Sequence, residues 1–286
     1  MFQRIRQLRA HYGLRRGIPR EFRLQYRRFF RRQSERKLAN DLAKLGVEKG
    51  ASIFVHSSLS RIGYVPAGPD TLIHALQEAV GPEGTILMPS YPFGGLAYDY
   101  VRTNPVFDVR TTPTDVGVVS ERFRALPGVV RSLHPTHAVC AWGKRAEWLV
   151  ADHDRVVYPF GPGTPFFRFM ELGGSVLLLG ARFQNMTMLR VIEDENFPFD
   201  VYCPGTFRLK VVDGDSRESW VDPKVHSHRI APYRRAKLLV PYLQSQGLVT
   251  SGLVGMAESS RIDCTNLFQV LAQLLSQGIT QYVGNP

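Results

Sequence analysis

Cysteine is scarce in this chain. Its three residues, Cys140, Cys203 and Cys264, lie far apart and are odd in number. That count excludes a disulfide framework and fits a reducing, cytosolic compartment. No Cys-x-x-Cys pair occurs, which removes the usual zinc-site pattern. Long apolar runs are missing too: no stretch approaches roughly 18 consecutive apolar residues, so no membrane-spanning helix is expected. The N-terminal region is broken throughout by arginine and has no apolar segment, so it does not read as a secretory signal. No long internal repeat is visible.

What the chain does have is a steep charge gradient. Its formal net charge is +11 over 286 residues. Residues 1–37 contain twelve arginines, one lysine and two glutamates, which is +11 on their own. The remainder holds 23 basic and 23 acidic side chains and is neutral. The chain therefore divides into a basic helical arm, residues 1–37, and a body, residues 38–286. Phe2, Ile5, Leu8 and Tyr12 have helical spacing. From Pro19, a favoured first helical residue, Phe22, Tyr26, Phe29 and Phe30 recur on one side. Arg23, Arg27, Arg28, Arg31 and Arg32 occupy much of the rest. The aromatic side can pack on the body or on a second copy, as a homodimer. Alternatively, the helix can lie on an anionic membrane surface, making the protein peripheral at the inner face. Nucleic acid is a third partner for such charge, but no nucleic-acid motif accompanies it.

The body, 44% hydrophobic across the chain, reads as strands alternating with helices, a layered α/β/α domain around a central mixed sheet. Its organising stretch is Ser52–Gly63. An apolar, β-branched run reads as a buried strand and ends in His56, Ser57, Ser58 and Ser60. In α/β sheets ligands sit outside the carboxyl ends of strands. A Ser-rich turn capping the next helix is the plainer reading. Further helices are expected at 34–46, 71–80, 115–125, 143–151, 165–172, 187–195, 232–246 and 263–277. Strands are expected at 85–88, 175–180 and 248–254. Residues 206–212 and 219–222 read as a hairpin, the small β-rich insertion. Residues 89–114 read as a long loop, a lid or binding loop, whose Tyr91, Phe93, Tyr98 and Tyr100 can wall a sugar site or simply pack the loop.

The order of these segments resembles the aminoglycoside 3-N-acetyltransferase family, also called antibiotic N-acetyltransferases. The resemblance starts with His56-Ser57-Ser58, the loop Pro66–Pro69 and the strand Thr85–Pro89. It continues through Gly117 to Arg124, similar to the family's Gly-x-x-x-Glu-x-Phe-Arg helix. Arg131-Ser132-Leu133-His134-Pro135 is similar to Arg-Ser-x-His-Pro. Gly161–Pro165, the strand Val176–Gly180 and Thr187–Glu193 follow in order. The resemblance covers roughly residues 38 to 260. It implies a CoA-dependent N-acetyltransferase with acetyl-CoA as donor and no metal. The acceptor would be an amino group on an amino sugar, aminoglycoside or sugar nucleotide, as in antibiotic resistance; the basic arm, rather than the resemblance, suits work near a membrane such as surface-polysaccharide biosynthesis.

By the same resemblance, His56, Ser57, Ser58, Leu59, Ser60, Arg131 and Ser132 would face the coenzyme. Arg131 suits a CoA phosphate, since guanidinium binds phosphate bidentately; a surface ion pair is the alternative. Tyr91, Thr187, Glu193 and Asp194 would face the acceptor. Two positions depart from the family. Its Thr-x-x-His-x-x-Glu motif carries the presumed base, and here that residue is Arg190. A Ser four residues after the motif's His-Pro histidine is here Ala138. Arg190 stays protonated and cannot be a general base. It can hold an acidic group of the acceptor, or pair with Glu193 and Asp194 one turn on. Glu193 is the first substitute base, with His134, His137 and His56 as further candidates. Losing the base costs about 10²–10⁴ in rate, so a catalytically inactive descendant that binds CoA or a sugar is the rival reading. His226 and His228, two apart, could share a metal if they stood on one strand face, but no third ligand is evident.

Overall fold

The computed structural model describes residues 32–193 and 197–283; the arm up to residue 31, and Asp194, lie outside the described residues. A seven-stranded sheet runs in the order β4-β5-β2-β1-β6-β10-β9. At its centre β1 (Ser52–Ser57) is parallel to both β2 (Thr85–Pro89) and β6 (Ser175–Leu179). Outside these, β5 (Val139–Gly143) is antiparallel to β2, and β4 (Val130–Arg131) to β5. On the other flank β10 (Ala257–Asp263) is antiparallel to β6 and β9 (Val249–Val254) to β10.

Alternation along the central strands builds two cores, because successive side chains point to opposite faces. Phe54, Leu87, Val176 and Leu178 face Phe166 and Phe169 of α7 (Pro165–Glu171) and Leu267 and Leu271 of α9 (Leu267–Ser276). Ile53, Val55, Ile86 and Leu177 face Leu38 and Leu42 of α1 (Glu35–Lys44) and Leu72 and Leu76 of α3 (Pro69–Val80). Helix α1 starts where the sequence suggested: the Ser34 hydroxyl accepts from the Lys37 N–H at 3.2 Å. Likewise Thr164 caps α7, with Pro165 at its first position.

Several expected elements take another form. The 89–114 loop contains α4 (Ala97–Val101) and β3 (Val106–Asp108), separated from β4 by α5 (Val118–Arg124). Strand β3 adds parallel to β7 (Leu209–Val212) of the expected hairpin, whose second strand is β8 (Glu218–Val221). Of the expected 187–195 helix, the described residues form only a 3₁₀ turn, Thr187–Arg190. The 232–246 helix is broken into 3₁₀ turns at Ala231–Tyr233 and Ala236–Leu239 before Val240–Ser245. Strand β10, polar in sequence, is the clearest addition. It flanks the parallel centre as an antiparallel strand, where one wetter face removes the need for an apolar run.

Candidate active site

The carboxyl ends of β1, β2 and β6 open into a cleft of about 400 Å³ lined by His56, Ser57, Ser58, Arg61, Pro89 and Gly180, among others. Gly180 has φ +65°, and a Cβ there would stand 3.0 Å from that of Arg61 and 3.1 Å from that of Ala257. The bare backbone lets Arg61 cross the floor and donate to the Gly180 carbonyl at 3.0 Å. The Ser58 and Ser60 hydroxyls are 3.5 Å apart. Burial, then the Arg234 charge, lowers the His56 pKa to about 4, so the ring is neutral. Its buried Nε2 has no hydrogen-bond partner. An orphaned imidazole nitrogen, serine hydroxyls and two lining cations, Arg61 and Arg182, fit a ligand bearing amides and phosphates. Leu59, by contrast, packs against the second core.

Beyond this cleft lies a network centred on Glu193. Its Oε2 accepts from His226 Nε2 at 2.7 Å and Arg190 Nη1 at 3.1 Å. Its Oε1 accepts from the Tyr282 hydroxyl at 2.8 Å and from Gln281 Nε2. The Tyr202 hydroxyl donates to its carbonyl at 2.7 Å. Burial pushes the Glu193 pKa up, but Arg190 and His226 outweigh it and hold the carboxyl below its usual range. Arg234 joins through Gln281 Oε1 at 2.7 Å. On the near side, the Tyr91 hydroxyl donates to Thr187 Oγ1 at 3.2 Å. The rings of Tyr91, Phe93 and Tyr100 follow one another at 6.0 and 5.6 Å. Tyr98 leaves this wall and stacks on His228 at 4.4 Å.

These contacts correct several assignments. A carboxylate that already accepts four donors and sits below its usual pKa is a poor proton acceptor, so Glu193 is not the base. It holds Arg190 and His226 instead. His134 is sealed in the core, with burial lowering its pKa to about 3. Its Nδ1 accepts from the His137 N–H at 3.0 Å, so it braces a turn. His153 Nδ1 lies 2.9 Å from the Ser132 hydroxyl, which also accepts from the Val139 N–H. Arg131 donates to the carbonyls of Ser90, Val109 and Thr112 and covers the Phe107 ring at 4.6 Å. Neither Ser132 nor Arg131 is therefore free for the coenzyme. Ala138 fills an apolar cluster with Phe107, Val211 and Val221, where a hydroxyl would need a partner. His226 and His228 diverge to Glu193 and Tyr98, and no metal-holding group of His, Cys, Asp or Glu occurs among the described residues. Sequence reading missed Arg234, Gln281, Tyr282 and Tyr202, which join Glu193 from segments carrying no motif. Among the described residues, no helix is long and apolar enough to cross a membrane.

The profile of the aminoglycoside 3-N-acetyltransferase family matches residues 54–276. Aminoglycoside N(3)-acetyltransferase IX of Micromonospora chalcea is 30% identical over 256 residues, covering 81% of this chain and 89% of that one. Aminoglycoside N(3)-acetyltransferase VII of Streptomyces paromomycinus is 36% identical over 174 residues, covering 55% of this chain but only 59% of the relative's length. The structure of AAC-IIIb, a binary complex with CoASH, superimposes with a TM-score of 0.74 at 27% identity, over 89% of this chain and 100% of that one. The chain belongs to the aminoglycoside 3-N-acetyltransferase family.

Proposed function

We propose that this protein is a cytoplasmic N-acetyltransferase that moves an acetyl group from acetyl-CoA to an amino group of an aminoglycoside or related amino sugar. The observation that carries the reading is the adjacency of two sites. A cleft at the ends of β1, β2 and β6 has open hydrogen-bonding groups, and the Arg234 charge acts on its His56 while its side chain bonds Gln281, a partner of the Glu193 carboxylate that holds His226. When bound, the donor supplies an acetyl thioester as electrophile. His56, Ser58 and Ser60 would hold and orient it.

His226 takes the role that Arg190 cannot. With Glu193 ionised, His226 Nε2 carries the proton it shares at 2.7 Å. Its Nδ1 then keeps the lone pair and can accept a proton from the attacking amine. Burial, followed by the Arg190 charge, lowers the His226 pKa to about 4, so the ring is neutral at pH 7, while the Glu193 hydrogen bond and charge act the other way and favour its protonation. The Glu193 carboxylate stabilises the imidazolium that forms, as a buried acid does in a triad. Only 11% of the His226 side chain and 17% of that of Arg190 are exposed, while Glu193 is at 0%. Of these three, an incoming acceptor therefore meets the imidazole and the guanidinium, not the carboxylate.

Thermal unfolding with acetyl-CoA tests the reading. At a concentration ~100 times Kd, binding to the folded state adds ~2.7 kcal/mol. That is a rise of about 5–10 °C in Tm for a domain of this size. Acetyl-CoA and CoA should both give it, and ATP should not. A shift without acetyl transfer to any amino sugar would favour a descendant that only binds. No shift would remove the donor site.

A further inference from the structure

A second imidazole, His137, stands beside His226. It lies in the turn that leads into β5, with only 6% of its surface exposed. Between ring centres it is 4.7 Å from Phe160, 5.1 Å from Tyr91, 5.6 Å from Phe93 and 6.2 Å from His226. Phe160 also lies against His226, at 5.6 Å. The two imidazoles thus belong to one aromatic-walled site.

Hydrogen bonds fix where His137 carries its proton. Its pKa is held well below the ordinary value, by burial first and then by neighbouring charges, so the ring is neutral and has a single N–H. The Thr136 hydroxyl lies 2.9 Å from His137 Nδ1 and 3.4 Å from His134 Nδ1. His134 Nδ1 already accepts the backbone N–H groups of His137 at 3.0 Å and Thr136 at 3.3 Å. The hydroxyl therefore donates to His137 Nδ1, which leaves the ring proton on Nε2. No described residue accepts that proton, and the nitrogen is not sealed in the interior as Nε2 of His56, His134 and His153 is. His137 thus offers an N–H where His226 offers a lone pair.

We propose that His137 is a further catalytic residue, whose Nε2–H donates to the acetyl carbonyl oxygen as that oxygen becomes negative. The proposal rests on the acetyl-transfer reading. The amine nitrogen bonds to the carbonyl carbon, the C=O π pair moves onto oxygen, and the amine proton goes to His226 Nδ1. The oxygen pair then re-forms C=O. The C–S bond breaks with its pair on sulfur, and the His226 proton passes to that thiolate. His137 keeps its proton throughout, so it is not a second base. A donor braced by Thr136 and His134 in advance needs no reorganisation as charge develops.

Nitrogen-15 NMR of the imidazoles in the full chain reads the tautomer without turnover. Nε2–H is expected at His137, and an Nδ1–H ring overturns the proposal. Steady-state kinetics with an aminoglycoside reads the role. With both substrates saturating, His137→Leu should lower kcat about 10²–10³-fold and leave the acceptor KM within about threefold. His137→Gln, which keeps an N–H donor, should recover at least about tenfold of that loss. Circular dichroism and the thermal shift with CoA should match the parent in both variants; if leucine unfolds the turn, the tautomer still decides. A leucine variant whose kcat stays within about threefold of an active parent, or whose loss is confined to KM, overturns the proposal and leaves acetyl transfer standing. A parent inert toward every amino sugar removes the transfer reading, and this role with it.

Discussion

Replacing Glu193 by alanine should destabilise the protein by about 3–5 kcal/mol, because removing one partner of a buried ion pair strands the other. At about 2–4 °C per kcal/mol, Tm falls by roughly 6–20 °C. The carboxylate is the only acidic group bonded to Arg190 among the described residues, and it also receives His226, Tyr282 and Gln281. Its loss leaves a guanidinium among the rings of Phe160 and Tyr282 without a counter-charge. The stranded cation has a second signature: Glu193→Ala/Arg190→Leu should be less destabilised than Glu193→Ala alone. A thermal scan of the three proteins reads this. Additive losses would mean that Glu193 acts mainly through Tyr282 and Gln281.

Acid should unfold this protein early, with a midpoint near pH 5. Five histidines are held neutral in the fold. Burial is the first cause in every case, lowering His56 and His226 to about 4, His134 to about 3, and His137 and His153 well below their ordinary value. Neighbouring charges add to it, Arg234 on His56 and Arg190 on His226. In the unfolded chain each titrates near ~6.5. Stability is therefore complete above that value and declines as pH falls through it, since only the unfolded state binds the protons. Each such group contributes a slope of about 1.4 kcal/mol per pH unit, so five approach ~7 kcal/mol per unit. A typical reserve of about 5–15 kcal/mol disappears within roughly two units. Glu193, held down by Arg190, adds a loss only at still lower pH. Tryptophan fluorescence from pH 8 to 4 gives the midpoint, and stability that stays flat down to pH 5 contradicts the account.

The central strands were legible because β1, β2 and β6 are short apolar runs bounded by turn residues. The starts of the helices expected at 34–46 and 165–172 were legible from local signals too, and Ser34 and Thr164 cap them. Strand β10 was not, because its partners impose the conformation on a polar segment, Ala257 to Asp263. On the donor side, His56, Ser57 and Ser58 were grouped from the sequence and line one cleft, since a strand end puts its own neighbours together. Arg131 and Ser132 have the right chemistry but point to Ser90, Thr112 and His153, which only the tertiary fold brings near. The Glu193 network was half legible. Arg190 is three residues away, but His226 and Tyr282 come from 33 and 89 residues further on. The pairing of His226 and His228 by spacing failed because the chain there is not a regular strand.

The most direct test of the account is steady-state acetyl transfer by His226→Gln at saturating acetyl-CoA, against an aminoglycoside acceptor. Glutamine can still donate to Glu193 but cannot take a proton at pH 7. The account predicts that kcat/KM for the acceptor falls by about 10²–10⁴, while the thermal shift with CoA matches that of the parent. Turnover within about threefold of the parent would contradict it, because a general base contributes far more than that.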